Sequence, residues 1–414
     1  MNPADSAEPE MLREEHCMHL LLDLISTARP ITVNSIAALT GQDWKFLQSM
    51  SKQHRLGPMA YERCKTLSLL ETLPQDVREE WAGAYRRSAF RYLSFLKVLN
   101  RIAIILNDED IPFAALKGAW LSQFAFTDPA LRPLRDLDIL VPPEKALRVY
   151  SILESNGFHR LDGYQMPLAD AITSKKHLPG LRCADTNILV EVHTRIVDVV
   201  PDVHGAKTLY DVPGLLADRV LRGGASYLSP TATLLHLIVH AVYDHQLNNG
   251  PLTFADVAVL MNSAEIDWPK FWTMAKAGDW ERGCLLILEL ASYFHHANSW
   301  RDSCTATVFP TQDQIECAAL LSLQDFEQRG VLGFKAEMAS AKGLFGKAQI
   351  FTRRAFPSRH ALADYAGIAS TAWRPFLHYP DWLCVQIGRT LFAKNSRETT
   401  QDIRRAVQVR NWIY

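Results

Sequence analysis

The chain has 414 residues, 48% hydrophobic and 21% charged, with a formal net charge of −1. That mix supplies a sizeable core and excludes a disordered tail protein, a collagen-like chain and a small disulfide scaffold. The near-zero charge argues against a chain built mainly to hold nucleic acid. The 7 cysteines form no Cys-x-x-Cys pair, which removes zinc-ribbon and thioredoxin readings. Reduced, mostly buried thiols in a cytoplasmic protein are expected instead. No run reaches the ~18 apolar residues of a spanning helix, because His236 and His240 interrupt the best candidates. Asp5, Glu8 and Glu10 stand where a secretion signal would carry basic and then apolar residues, so no membrane span and no export are expected.

In chain order, residues 1–110 read as a helical region. Glu14 to Ile25 carries a dense apolar stripe, and Asp43-Trp44 reads as a cap followed by an aromatic anchor. Glu79 to Asn107 places Ala82, Tyr85, Ala89 and Tyr92 at helical spacings. At Ile111 the texture changes. Pro112 to Leu116 predicts a strand, followed by Lys117-Gly118 and a helix over Ala119 to Phe126. Asp136 to Val141 predicts a second strand, then a helix in which Ala146, Val149, Tyr150 and Leu153 share one face and Asn156-Gly157 marks the stop. Phe158 to Leu161 and Ile188 to His193 complete an expected set of about four strands, so residues 111–228 read as a small α/β core. From Ser229 the helical pattern returns, and residues 229–414 read as a helical domain with a basic tail. From Ala341 onward twelve Lys and Arg face four acids, a local charge of +8 that leaves −9 on the remainder. The tail, with Trp373, Phe376, Trp382, Phe392 and Trp412 interleaved, is read as a packed helical cap rather than a docking surface for a membrane or an acidic partner.

Three features carry chemistry. Asp136 and Asp138 alternate with Leu137, so both carboxylates point to one face of their strand. Like charges on one face repel unless a cation lies between them, and hard divalent ions favour carboxylates together with substrate phosphates. On the later strand, Leu189, Glu191 and His193 alternate with Ile188, Val190 and Val192. A glutamate in such a strand is costly unless paired or bound to metal, or else exposed at an edge. Finally, Lys117-Gly118 joins a strand to a helix, where glycine allows close approach and free amides and a lysine attract phosphate.

In this order the chain resembles the nucleotidyltransferase superfamily of polymerase-beta-like fold, and within it the uncharacterised bacterial nucleotidyltransferases. The resemblance rests on Leu116-Lys117-Gly118, on Leu131-Arg132-Pro133 followed by Asp136-Leu137-Asp138-Ile139-Leu140-Val141, and on Val190-Glu191-Val192-His193. It extends into the C-terminal helices through Leu228-Ser229-Pro230, His236 to His240, Asp256 and Ile266-Asp267-Trp268. It implies an α+β fold: a small nucleotidyltransferase-type mixed sheet flanked by N- and C-terminal helical regions. It further implies that Asp136, Asp138 and Glu191 hold two divalent ions, Mg2+ or Mn2+, on a nucleoside triphosphate such as ATP. Lys117, Gly118, Arg132 and Arg135 would bind the nucleotide's phosphates, and His193 would stand behind the metal ligands or on the acceptor side. The acceptor stays open among a small molecule, a peptide or protein, and a sugar phosphate.

Two other functions compete. An Asp-x-Asp also serves glycosyltransferases that use nucleotide sugars, although there a strand precedes the motif and a nucleotide-binding α/β half lies upstream. A non-catalytic nucleotide-binding module on the same scaffold is the second. His236 and His240, one turn apart without a zinc protease's glutamate, read as hydrogen-bonded helix residues, and His295-His296 reads as surface.

Overall fold

The computed structural model describes residues 3–161, 166–197, 211–324, 329–341, 343–368, 373–391 and 400–414. Among the described residues helices dominate, and seven strands form one mixed sheet. The chain divides into two compact units that interleave along the sequence. One comprises Met1–Lys97, Lys117–Arg135 and Pro230–Leu323; the other comprises Val98–Leu116, Asp136–Ser229 and Gln324–Tyr414.

The first unit is helical. Its core includes Trp81, fully buried, whose indole N–H donates to Ser51 Oγ at 2.9 Å. The helix Gly41–Gln53 starts one turn earlier than the Asp-Trp pair suggests. Thr40 is its cap and Asp43 the reciprocal partner three residues on, because the Thr40 hydroxyl accepts the Asp43 N–H while the Asp43 carboxylate accepts the Thr40 N–H. Asp267 does cap its helix, accepting from the Lys270 N–H at 2.9 Å. His295 also differs from expectation. His296 is exposed, but His295 falls on the buried face of Glu281–His295, where burial pushes its imidazole down to about 4. A histidine depressed in the native state binds fewer protons than when unfolded, so stability is lost as pH falls. Between the ordinary value of 6.5 and about 4 the loss reaches about 3 kcal/mol. Urea unfolding at stepped pH should show this slope, and His295→Leu should flatten it.

The second unit contains the sheet. Its strands are β1 (Ala114–Ala115), β2 (Asp136–Leu140), β3 (Phe158–Arg160), β4 (Leu181–Cys183), β5 (Leu189–His193), β6 (Val220–Arg222) and β7 (Ala225–Tyr227). The spatial order is β3-β4-β5-β2-β1-β7-β6. The four expected strands are present, with β1 shorter than Pro112 to Leu116. Three more appear: β4, and the hairpin β6–β7, whose Gly223-Gly224 turn takes φ of +60° and +83° as a tight hairpin requires. β5 pairs parallel to β2, while β4 returns antiparallel to β5. A parallel pair needs a crossover. Helix Ala146–Ser155 lies on that path and packs on β3 and β5, burying Ala146, Val149, Tyr150 and Leu153 completely. Leu137, Ile139, Val190 and Val192 are each fully buried, which fixes the register, since a one-residue slip would turn these side chains to the opposite face.

In the C-terminal part, Arg329–Ser340 packs on Thr400–Ile413, where Val409 and Trp412 are buried and Arg410 approaches Glu337 at 3.7 Å. That part fits a packed cap, whereas Trp373 and Phe376 are exposed. Phe392 lies outside the described residues. Among the described residues no helix is long and apolar enough to cross a membrane.

Candidate active site

β2 and β5 run parallel and in step, so Asp136 pairs with Leu189, Asp138 with Glu191 and Leu140 with His193. These residues belong to one face by alternation, and the opposite face is wholly apolar. The pairing sets the Asp138 and Glu191 carboxylates side by side from segments 53 residues apart in sequence. His193 Nε2 lies 3.3 Å from Asp138 Oδ1 and 3.5 Å from Glu191 Oε2. Ligand atoms of Asp138, Glu191 and His193 all fall within 4.8 Å of one another, close enough for one metal ion. Asp138 and His193 are buried, and Glu191 is partly open to solvent.

A sequence-profile model described as an uncharacterised nucleotidyltransferase matches residues 40–296. The chain belongs to this family. The match encloses every expected site residue from Lys117 to His193. Among curated proteins no match was found.

Within this family member the expected residues fall in different places. Asp138 and Glu191 converge, and His193 joins them within ligand reach. Asp136 sits one pair upstream on the same face and is not one of the three clustered groups. His177 was not anticipated. Its Nε2 lies 3.6 Å from Glu191 Oε2, and it pairs as an isolated antiparallel bridge with His193. No local signal in the sequence marks it, since tertiary pairing alone carries it to β5.

The basic residues belong to the other unit. Lys117 has φ +46° and ψ −111°, a backbone region that costs a side-chain-bearing residue about 1–3 kcal/mol. Gly118 follows because a Cβ there would come within 2.8 Å of Leu134 Cδ2. Lys117→Gly should therefore raise thermal stability by about 1 kcal/mol while weakening triphosphate binding. Paired melting and calorimetry check it, and unchanged binding would remove Lys117 from the site.

Arg132 Nε donates to both oxygens of Asp256 at 2.7 and 2.9 Å, and Nη1 donates to the Pro133 carbonyl at 2.9 Å. Asp256 is buried within helix Leu252–Ser263. Burial pushes its carboxyl upward, and the Arg132 guanidinium pulls it back. The Leu134 and Arg135 carbonyls each accept from Arg91 at 2.5 Å, so the segment before β2 is anchored by its backbone. Helix Pro230–Val239 runs into a π-turn at His240–Asp244, where His240 Nδ1 meets Asp244 Oδ2 at 3.1 Å. The hydrogen-bonded reading of His240 fits that contact.

Proposed function

We propose that the chain transfers a nucleoside monophosphate from a nucleoside triphosphate to an acceptor and releases pyrophosphate. The observation that carries this reading is the in-step pairing of Asp138 with Glu191, beside His193, on a strand pair whose other face is sealed in the core. Two adjacent carboxylates repel each other, and a divalent ion between them removes that cost. The donor set fits such an ion, Mg2+ or Mn2+ in the first instance. Asp138 and Glu191 would hold the metal, with Asp136, one pair upstream on the same face, as the further carboxylate that the resemblance implies. When bound, divalent ions stabilise charge on the attacking and leaving oxygens of an in-line displacement at phosphorus. Glu191, the partly open member, accepts the acceptor's proton as its oxygen attacks. His193 orients the carboxylates from behind. Lys117, the Gly118 amide, Arg132 and Arg135 neutralise the phosphates, with Arg132 held in one orientation by Asp256. A cytoplasmic location is part of the same proposal.

The test is calorimetry with a non-hydrolysable triphosphate and Mg2+ or Mn2+. The pair Asp136→Ala with Asp138→Ala should abolish metal-dependent binding while leaving the circular dichroism spectrum intact. Unchanged binding overturns the reading. A thermal-shift screen that ranked nucleotide sugars above triphosphates would favour glycosyl transfer, and a tightly held, unconverted triphosphate would mark a binding module. Mass spectrometry of co-expressed proteins and metabolites, searching for added nucleotide mass, identifies the acceptor.

A further inference from the structure

We propose that residues 343–377 dock the protein on an anionic phospholipid surface, with apolar side chains seated below the headgroups and basic side chains among the lipid phosphates.

This stretch lies within one compact unit and carries a small core of its own. Helix Arg359–Ala366 packs on the turn Arg374–His378, and Leu362, Ala363 and Pro375 are buried there. Tyr379, which follows the turn directly, donates its hydroxyl to the Ala355 carbonyl at 2.7 Å. Its ring stacks on Phe356, with centroids 6.4 Å apart. These contacts hold the end of helix Gly343–Ala355 beside the turn. Large apolar side chains are nonetheless left outside. Leu344 and Phe345 are 87% and 85% exposed, and Phe351 and Phe356 each exceed 60%. Trp373, Phe376 and Leu377, at the turn, each expose more than half of their surface. Single exposed apolar residues are ordinary, whereas seven in so short a stretch mark a surface built to be covered.

Charge selects what covers it. Between positions 342 and 378, Lys342, Lys347, Arg353, Arg354, Arg359 and Arg374 face Asp364 alone, a net +5 that leaves −6 on the rest of the chain. Lys347, Arg359 and Arg374 are exposed. On helix Gly343–Ala355 the spacing of Leu344, Ala348 and Phe351 puts them on one face, with Lys347 at its edge. Apolar residues flanked by basic ones are the make-up of a helix that lies in a lipid interface. A second copy of the chain would set +5 against +5. An acidic protein surface would answer the charge and leave the protruding apolar tips in water. An anionic bilayer answers both, because phosphates form its face and acyl chains lie just beneath. It also orients the molecule, attracting this stretch and repelling the acidic remainder.

The test is co-sedimentation of the full chain with vesicles of phosphatidylcholine alone or with about 30% phosphatidylglycerol. The chain should bind the anionic vesicles at least about tenfold more tightly, and raising salt from about 0.1 to about 0.5 M should weaken binding several-fold. Phe345→Ser with Phe351→Ser should weaken it about a hundredfold, since each removes an aromatic ring from the interface. Lys347→Glu with Arg374→Glu should weaken it at least about twentyfold. All four positions are exposed, so both double variants should melt with the parent. No binding to anionic vesicles, equal binding to the two compositions, or unchanged binding in either double variant overturns the proposal. Polyglutamate that binds as tightly as the vesicles also overturns it and assigns the face to an acidic protein. A concentration-dependent dimer in sedimentation velocity, lost in Phe345→Ser with Phe351→Ser, overturns it in favour of a second copy.

Discussion

Asp138→Asn is expected to lower nucleotide transfer by on the order of 10³-fold without loss of the fold. The carboxylate is buried, next to Glu191 on the paired strand and 3.3 Å from His193 Nε2. Asparagine keeps the shape and removes the negative charge that draws a divalent ion. It also removes a like-charge neighbour of Glu191, so thermal stability measured in chelator should hold or rise. Glu191→Gln should act in the same direction. The measurement is transfer of label from an α-labelled triphosphate into lysate acceptors, with melting followed in parallel. Retention of more than a tenth of the parent's transfer by both variants would remove the paired carboxylates from catalysis.

Arg132→Met should cost about 3–5 kcal/mol at neutral pH, the largest stability effect expected of any single substitution discussed above. It leaves the buried Asp256 carboxylate without the cation that accompanies it at 2.7 Å. Burial already raises the Asp256 carboxyl above its ordinary 3.8, and loss of Arg132 removes the main opposing influence. The variant's native state then binds a proton that the unfolded chain does not hold. Stability consequently rises as pH falls from the elevated native value toward 3.8, and the deficit against the parent narrows. Arg132→Met with Asp256→Leu should recover most of the loss, because a well-packed apolar pair replaces a buried ion pair at little net cost. Urea unfolding of the three variants across pH decides it. An Arg132→Met deficit below about 1 kcal/mol at neutral pH would show that Asp256 is held by other groups.

A structural consequence for function attaches to the same pair. The Arg132 Nε is engaged by Asp256, so the phosphate role proposed for this arginine relies on the rest of a guanidinium whose direction Asp256 sets. Asp256→Asn, which keeps a hydrogen-bond acceptor, therefore separates orientation from charge.

The amino-acid order alone determined the helical regions, four strands and the acidic pair. Each is a local property, since periodic burial of Ala146, Val149, Tyr150 and Leu153 or alternation about Asp136 and Asp138 is written within a few neighbouring residues. It also carried Glu191 and His193 as polar interruptions of an apolar strand. It left β4, β6 and β7 unread, because strands of three residues are too short for a period to show. It assigned Asp43 rather than Thr40 as a cap, although both belong to one reciprocal box and only geometry tells cap from partner. It placed His295 at the surface, when the face it occupies on its helix decides burial. Which distant groups meet was settled by the tertiary structure: Glu191 beside Asp138 through a parallel register, His177 beside Glu191 through backbone bonds to β5, and Asp256 beneath Arg132. Charge and hydropathy along a chain set how each segment folds. Long-range strand pairing and side-chain burial, which depend on all segments packing at once, set which side chains come within an ion's reach of each other.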